Sequence, residues 1–207
     1  MSDELGSDRL QVVAVALDDD AADVEPFAEG ITIPVLLDRD HLLSELYAIS
    51  NVPTVVWIDE DGRIARPNGV AFGTDVFVDF TGVAAEHHMN EIRAWVEDGT
   101  VPVDADQARA AVGDLSEDEL RARLLFRLAT HARRTDRNED AQRLFGEAGE
   151  LAPFDFTIQR ASMPLRGVDP FGEEFFALYG AWEDAGSPYH DSCTAGFQNR
   201  SGVWRVR

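Results

Sequence analysis

Residues 10–17 read LQVVAVAL, an apolar run rich in β-branched side chains that stops abruptly at Asp18-Asp19-Asp20. Apolar residues do not alternate with polar ones here, so both faces of the strand call for cover. A strand of that kind needs paired edges and a layer above and below, which commits the first half of the chain to a layered α/β arrangement. The following pattern agrees. Asp23 can cap a short helix through Phe27 and Ala28 that Gly30 stops. Residues 34–37 read as a second strand, and Asp40 then caps a helix carrying Leu42, Leu43, Leu46 and Tyr47. Residues 54–58 and 63–66 form a hairpin about Asp61-Gly62. A helix over 83–96 turns Ile92, Trp95 and Val96 inward. Strands alternating with helices, then a hairpin and a helix, predict a three-layer α/β sandwich.

Charge narrows the function classes. The 207 residues carry 39 acidic and 18 basic side chains, a formal charge of −21, which excludes nucleic acid and anionic membrane surfaces as partners. With 44% hydrophobic and 9% aromatic residues the chain has a globular rather than a disordered composition. Every basic residue is arginine, and Asp exceeds Glu. Two origins produce that bias: a surface adapted to high salt, where self-repulsion is screened, or a GC-rich genome. Residues 1–10 lack a basic and an apolar region, and no apolar run reaches the roughly 20 residues of a membrane span, so the chain reads as cytoplasmic. The lone Cys193 has no internal disulfide partner, which fits a reducing compartment.

Asn51-Val52-Pro53-Thr54, followed by Val55-Val56-Trp57-Ile58-Asp59-Glu60-Asp61-Gly62-Arg63-Ile64, resembles the second half of a thioredoxin-like domain. The resemblance is to TlpA/ResA-like thiol–disulfide oxidoreductases and the related AhpC/TSA (redoxin) antioxidant proteins. Residues 11–18, Phe27, residues 34–38 and Tyr47 share that look, so the likeness covers about residues 8–98. It implies that Pro53 follows a cis peptide bond, faces the redox cysteines, and that the backbone of Val52, Pro53 and Thr54 binds substrate. Protein thiols, disulfides or a peptide are the implied partners, and no cofactor is implied.

The same resemblance implies an earlier strand, a Trp-Cys-x-x-Cys motif and a long helix ahead of residue 10. The segment 2–9 (SDELGSDR) has the look of that helix's tail. The implied strand is the central one, between those at 10–17 and 54–58. Three arrangements follow: the flanking strands close up, a second chain supplies a strand, or the recorded start lies inside a longer gene; the last is the favoured expectation. Unpaired apolar edges favour self-association, so a homo-oligomer is a further expected partner. A nucleophilic thiolate needs a lowered pKa and a resolving thiol, and Cys193 alone cannot supply both. The chain is therefore expected to be an N-terminally incomplete thioredoxin-like sandwich, inactive by itself in disulfide reduction. The alternative is a non-catalytic protein- or peptide-binding module that uses the groove beside Pro53 and an apolar helical surface including Phe145 and Phe171.

Residues 99–115 read as a linker between a partial thioredoxin-like domain at 1–98 and an all-α, repeat-like helical region at 116–190, with a tail at 191–207. Ser116 and Glu119 form a capping-box pattern opening a helix with Leu120, Leu124, Leu128, Leu125, Ala129 and Ala132 on one broad face. A turn near 136–138 leads to a second helix with Ala141, Leu144, Phe145, Ala148 and Leu151. The pair resembles one tetratricopeptide unit, departing from it at Ala132 and Asp136. One unit cannot bury its own apolar face, and a helix from Asp169-Pro170 with Phe171, Phe175, Leu178 and Trp182 is the expected packing partner, reached through an irregular crossing over 154–168. The helical part is expected to pack against the α/β part.

Other constellations are weak. His190 and Cys193 offer two metal ligands where a structural zinc takes four, so no metal is assigned. His87 and His88 point about 100° apart on a helix and read as surface residues. Asp18-Asp19-Asp20 at a strand end could hold a cation or form a solvated loop. Asp59 and Glu60 belong to the hairpin turn. Phosphate-loop, nucleophile-elbow and His-Glu-x-x-His motifs do not occur.

Overall fold

Of the apolar run at 10–17, only Ala14–Ala16 (β1) forms a strand, because one neighbour pairs with it: Val35–Leu37 (β2) lies parallel, with Ala14 opposite Val35 and Ala16 opposite Leu37. This is a computed structural model, and it describes residues 5–6, 8–49, 52–70, 73–76, 78, 82–107 and 114–186. Contacts group the chain into two compact units. The first combines Met1–Ser50 with Asp114–Tyr189, the second Asn51–Gly113 with His190–Arg207. The thioredoxin-like region expected at 1–98 is thus shared between both units.

In the first unit, β1 leads into Ala21–Ala28 (α1), and β2 leads into Leu42–Leu46 (α2). Helix α1 starts one turn before Asp23: Asp20 is its cap, accepting from the Ala22 N–H at 3.1 Å. Asp40 does not cap α2. Asp38 does so instead, its carboxylate accepting from the N–H groups of Leu42, Leu43 and Ser44 at 2.8, 2.9 and 3.2 Å. Three orphan donors of one helix end are thereby satisfied by a single side chain.

The helices Glu117–Arg134 (α4), Asn138–Leu151 (α5), Phe156–Leu165 (α6) and Glu173–Asp184 (α7) complete this unit; α3 belongs to the second unit. Ser116 and Glu119 form the capping box, with Ser116 N donating to Glu119 at 2.6 Å and Glu119 N donating to Ser116 Oγ at 3.2 Å. Ala122, Ala129, Ala141 and Ala148 are buried and let α4 and α5 approach closely. Phe126 and Phe145 fill the space between, edge to face at 5.6 Å. Ile158 and Leu165 from α6 join the same core. The irregular crossing expected at 154–168 is therefore a helix. Asp155 caps it by accepting from Thr157 N at 2.9 Å, and Pro164 sits in its last turn, where it interrupts little.

Two further expectations change here. Leu120, Leu124 and Leu128 are 51%, 59% and 55% exposed, so the broad leucine–alanine face of α4 splits: Ala122, Phe126, Ala129 and Ala132 enter the core and Leu125 packs against it. Helix α7 starts at Glu173, leaving Phe171 outside it with its ring under the Arg160 guanidinium at 4.7 Å. The aromatic stripe of α7 is a packing seam: Phe175, Tyr179 and Trp182 all meet Phe156 of α6 edge to face, at 6.4, 6.5 and 5.7 Å.

A buried ionic cluster joins α2 to α4 and α6. Arg123 donates to the Asp155 carboxylate from Nε at 3.1 Å and Nη2 at 2.8 Å, and to the Glu45 carbonyl oxygen. Arg127 Nε meets the Glu45 carboxylate at 2.5 Å. Within this unit α4 also reaches the loops after β1 and β2, through the Arg133–Asp19 and Arg134–Asp40 ion pairs.

The second unit holds Thr54–Ile58 (β3), Ile64–Val70 (β4) and Ala85–Asp98 (α3). β3 and β4 pair antiparallel, with Thr54 opposite Val70 and Trp57 opposite Arg66. Asp59 organises the turn by accepting from the N–H groups of Asp61 and Arg63, and Gly62 takes the left-handed conformation there. Trp57, 3% exposed, stacks on Trp95 of α3 at 5.0 Å, and Arg66 lies over Trp57.

The chain is a mixed α/β structure of small sheets and many helices. Among the described residues the strands form two separate two-stranded sheets, β1 with β2 and β3 with β4, so the strands at 14–16 and 54–58 do not pair with each other. No helix among the described residues is long and apolar enough to cross a membrane.

Candidate functional site

Val52, Pro53 and Thr54 run directly into β3, so the local sequence sets their geometry. The Val52–Pro53 peptide bond is cis. Val52 is 50% exposed and Pro53 is exposed, whereas the Thr54 hydroxyl is buried and has no hydrogen-bond partner among the described residues. β4 occupies one edge of β3, and among the described residues no strand pairs with the other. Exposed backbone beside an open strand edge can accept an extended peptide as an added strand, with main-chain hydrogen bonds providing affinity.

The expected thiol cannot be placed beside it. Cys193 and His190 lie outside the described residues, as does Asn51. Phe145, expected on an apolar docking face, is instead 3% exposed in the α4–α5 core.

The histidines differ from their surface reading. His87 is exposed and pairs with Glu91 at 3.3 Å, but His88 is buried and its Nδ1 accepts a hydrogen bond from Gly73 N at 2.8 Å. Burial lowers the His88 pKa, and the Glu91 charge opposes that shift. Asp19 and Asp20 are committed within the first unit, Asp20 as the α1 cap and Asp19 as the partner of Arg133. Among the described residues no three His, Cys, Asp or Glu side chains converge as metal ligands.

Sequence reasoning missed two features. His41, 4% exposed, adopts a left-handed conformation before α2 and places Nε2 3.3 Å from the Leu17 carbonyl oxygen. Burial lowers its pKa. The second is a group of arginines, Arg39, Arg133 and Arg134, around one cleft. Their sequence separation hides it, since only the fold brings 39 beside 133.

Comparison with known proteins gives one informative likeness. The chain is 30% identical over 59 residues to the thiol-disulfide oxidoreductase ResA of Geobacillus thermodenitrificans, covering 28% of this chain and 34% of that protein. The chain thus matches about a third of its relative's length. No family model and no solved structure matches. The likeness supports a relationship to the thioredoxin-like superfamily and reaches no finer level.

Proposed function

We propose that this chain works as the substrate-docking portion of a thioredoxin-like thiol–disulfide oxidoreductase or antioxidant redoxin. The similarity to ResA is the observation that carries this reading. Val52, Pro53 and Thr54 present their backbone to a protein or peptide substrate at the open edge of β3. Dithiol chemistry needs an attacking and a resolving thiol, and the 207 residues contain one cysteine, Cys193. Disulfide turnover therefore depends on a thiol from outside this sequence, and the chain alone is inactive. An insulin-reduction assay should give only background turnover, and activity that survives Cys193→Ser overturns the proposal. Docking is tested separately: reduced, alkylated insulin B chain should shift the amide resonances of residues 52–56, and shifts confined to other residues refute that role.

A second reading is a non-catalytic binding module that uses the tetratricopeptide-like helices. The exposed Leu120, Leu124 and Leu128 row on α4 favours it. Under this reading Leu124→Glu abolishes peptide binding while a substitution at Val52 does not; the docking reading requires the reverse.

A further inference from the structure

The loops after β1 and β2, the end of α4 and the start of α5 border an open cleft of about 330 Å³, lined by Asp19, Arg39, Asp40, Arg133, Arg134 and Asn138. Two of its guanidinium groups have carboxylate partners. Arg133 holds Asp19 through both terminal nitrogens, and Arg134 Nη1 meets Asp40 at 2.5 Å, with Arg134 Nη2 3.3 Å from His131 Nδ1. Arg39 is exposed and makes no hydrogen bond or ion pair among the described residues. In a chain with 39 acidic and 18 basic side chains, a shortage of carboxylates cannot explain that.

Two independent features point the same way. The cleft lies at the carboxyl ends of the parallel strands β1 and β2, the end of an α/β sheet where ligands commonly bind. It also meets the start of α5, a 14-residue helix whose cap residue, Arg137, makes no side-chain capping bond. Asn138, the first residue of that helix, lines the cleft, so uncapped N–H groups and the positive end of the helix lie beside it. The opposing charges are Asp19 and Asp40 in the lining, Asp18, Asp20 and Asp38 next to them in sequence, and Glu139 and Asp140 of the first turn, of which Asp140 is engaged by Arg143 at 3.3 Å.

We propose that this cleft binds a phosphate-type oxyanion. Guanidinium forks match the oxygens of a tetrahedral dianion, and two or three of them outcompete a single carboxylate each. On binding, Arg39 takes the anion first, and Asp19 and Asp40 release Arg133 and Arg134 to it. Asp19, 55% exposed, returns to water at little cost. This site is separate from the Val52–Thr54 surface and does not depend on the redox reading.

Calorimetric titration of the full chain at fixed chloride, with inorganic phosphate and with phenyl phosphate, tests it. Saturable binding of either supports the cleft; tighter binding of phenyl phosphate identifies an ester ligand, and equal binding identifies the free ion. Arg39→Gln should weaken binding by roughly tenfold or more, the loss expected for one charge-assisted contact, with the unfolding midpoint unchanged. Arg121→Gln removes the same charge at the opposite end of α4, where Arg121 is exposed, and should leave binding intact. The proposal fails if millimolar phosphate gives no saturable binding, if Arg39→Gln binds like the parent chain, or if Arg121→Gln weakens binding equally.

Discussion

Replacing Arg123 with methionine tests whether the buried ionic cluster holds α2, α4 and α6 together. Methionine keeps most of the aliphatic stem, so the change removes mainly charge and hydrogen bonds. Three donations disappear, two to Asp155 and one to the Glu45 carbonyl oxygen. The two carboxylate side chains left behind are 9% and 5% exposed. Breaking a buried pair from one side typically costs about 3–5 kcal/mol, because the remaining charge stays desolvated. Here each carboxylate keeps a second partner, Asp155 through Thr157 N and Glu45 through Arg127, so the lower end, about 3 kcal/mol, is expected. Urea unfolding followed by far-ultraviolet circular dichroism measures it, provided the slope with denaturant is unchanged. Adding Asp155→Asn removes the stranded charge while keeping an acceptor for Thr157, so the double variant should be more stable than the sum of single losses predicts. A loss below about 1 kcal/mol for Arg123→Met, or additive single losses, refutes the reasoning.

Three further outcomes are expected. His41 has a folded-state pKa lowered mainly by burial, with Asp38 and Asp19 opposing and Arg133 assisting the shift. The unfolded chain therefore binds its proton first, and stability falls as pH drops below about 6.5; His41→Asn, which tolerates the left-handed backbone, should flatten that slope in pH-dependent unfolding. The −21 charge predicts an unfolding midpoint that rises from dilute buffer to molar salt, and a constant midpoint defeats the salt-adaptation reading. Phe126→Ala opens a cavity opposite Phe145 and should cost about 3–5 kcal/mol in thermal or urea unfolding; a loss under about 1 kcal/mol would place that ring outside the core.

Features set by a few adjacent residues were legible in the sequence. The Ser116–Glu119 capping box and the bounds of β3 depend on neighbours within four positions, and both follow from local chemistry. Cap identity was harder where aspartates crowd together: Asp20 and Asp38, not Asp23 and Asp40, reach the helix N–H groups, which spacing alone cannot distinguish. Helix α6 is hidden in the sequence by its two prolines: Pro153 lies before its cap, Asp155, and Pro164 falls within its last turn. The exposed leucines of α4 were assigned inward because a helical pattern gives two adjacent apolar stripes without saying which one has a neighbour. Sheet continuity was least legible, since pairing joins residues far apart in sequence. The candidate site divides similarly: Val52, Pro53 and Thr54 are contiguous, whereas Arg39 and Arg133 have nothing in common until the chain folds.

The stacked pair of Trp57 and Trp95 also makes the second unit optically distinct. Indole rings 5.0 Å apart and inclined by 18° couple their electronic transitions, giving near-ultraviolet dichroism that vanishes when hairpin and helix separate. Trp182, among the rings of α6 and α7, has no tryptophan stacked on it among the described residues; the difference in emission between the parent chain and Trp182→Phe isolates its share of the four tryptophans and reports on the first unit. The chain thus carries two internal clocks. If they lose their signals at different denaturant concentrations, the chain unfolds in two steps, and a single transition midpoint would not describe its stability.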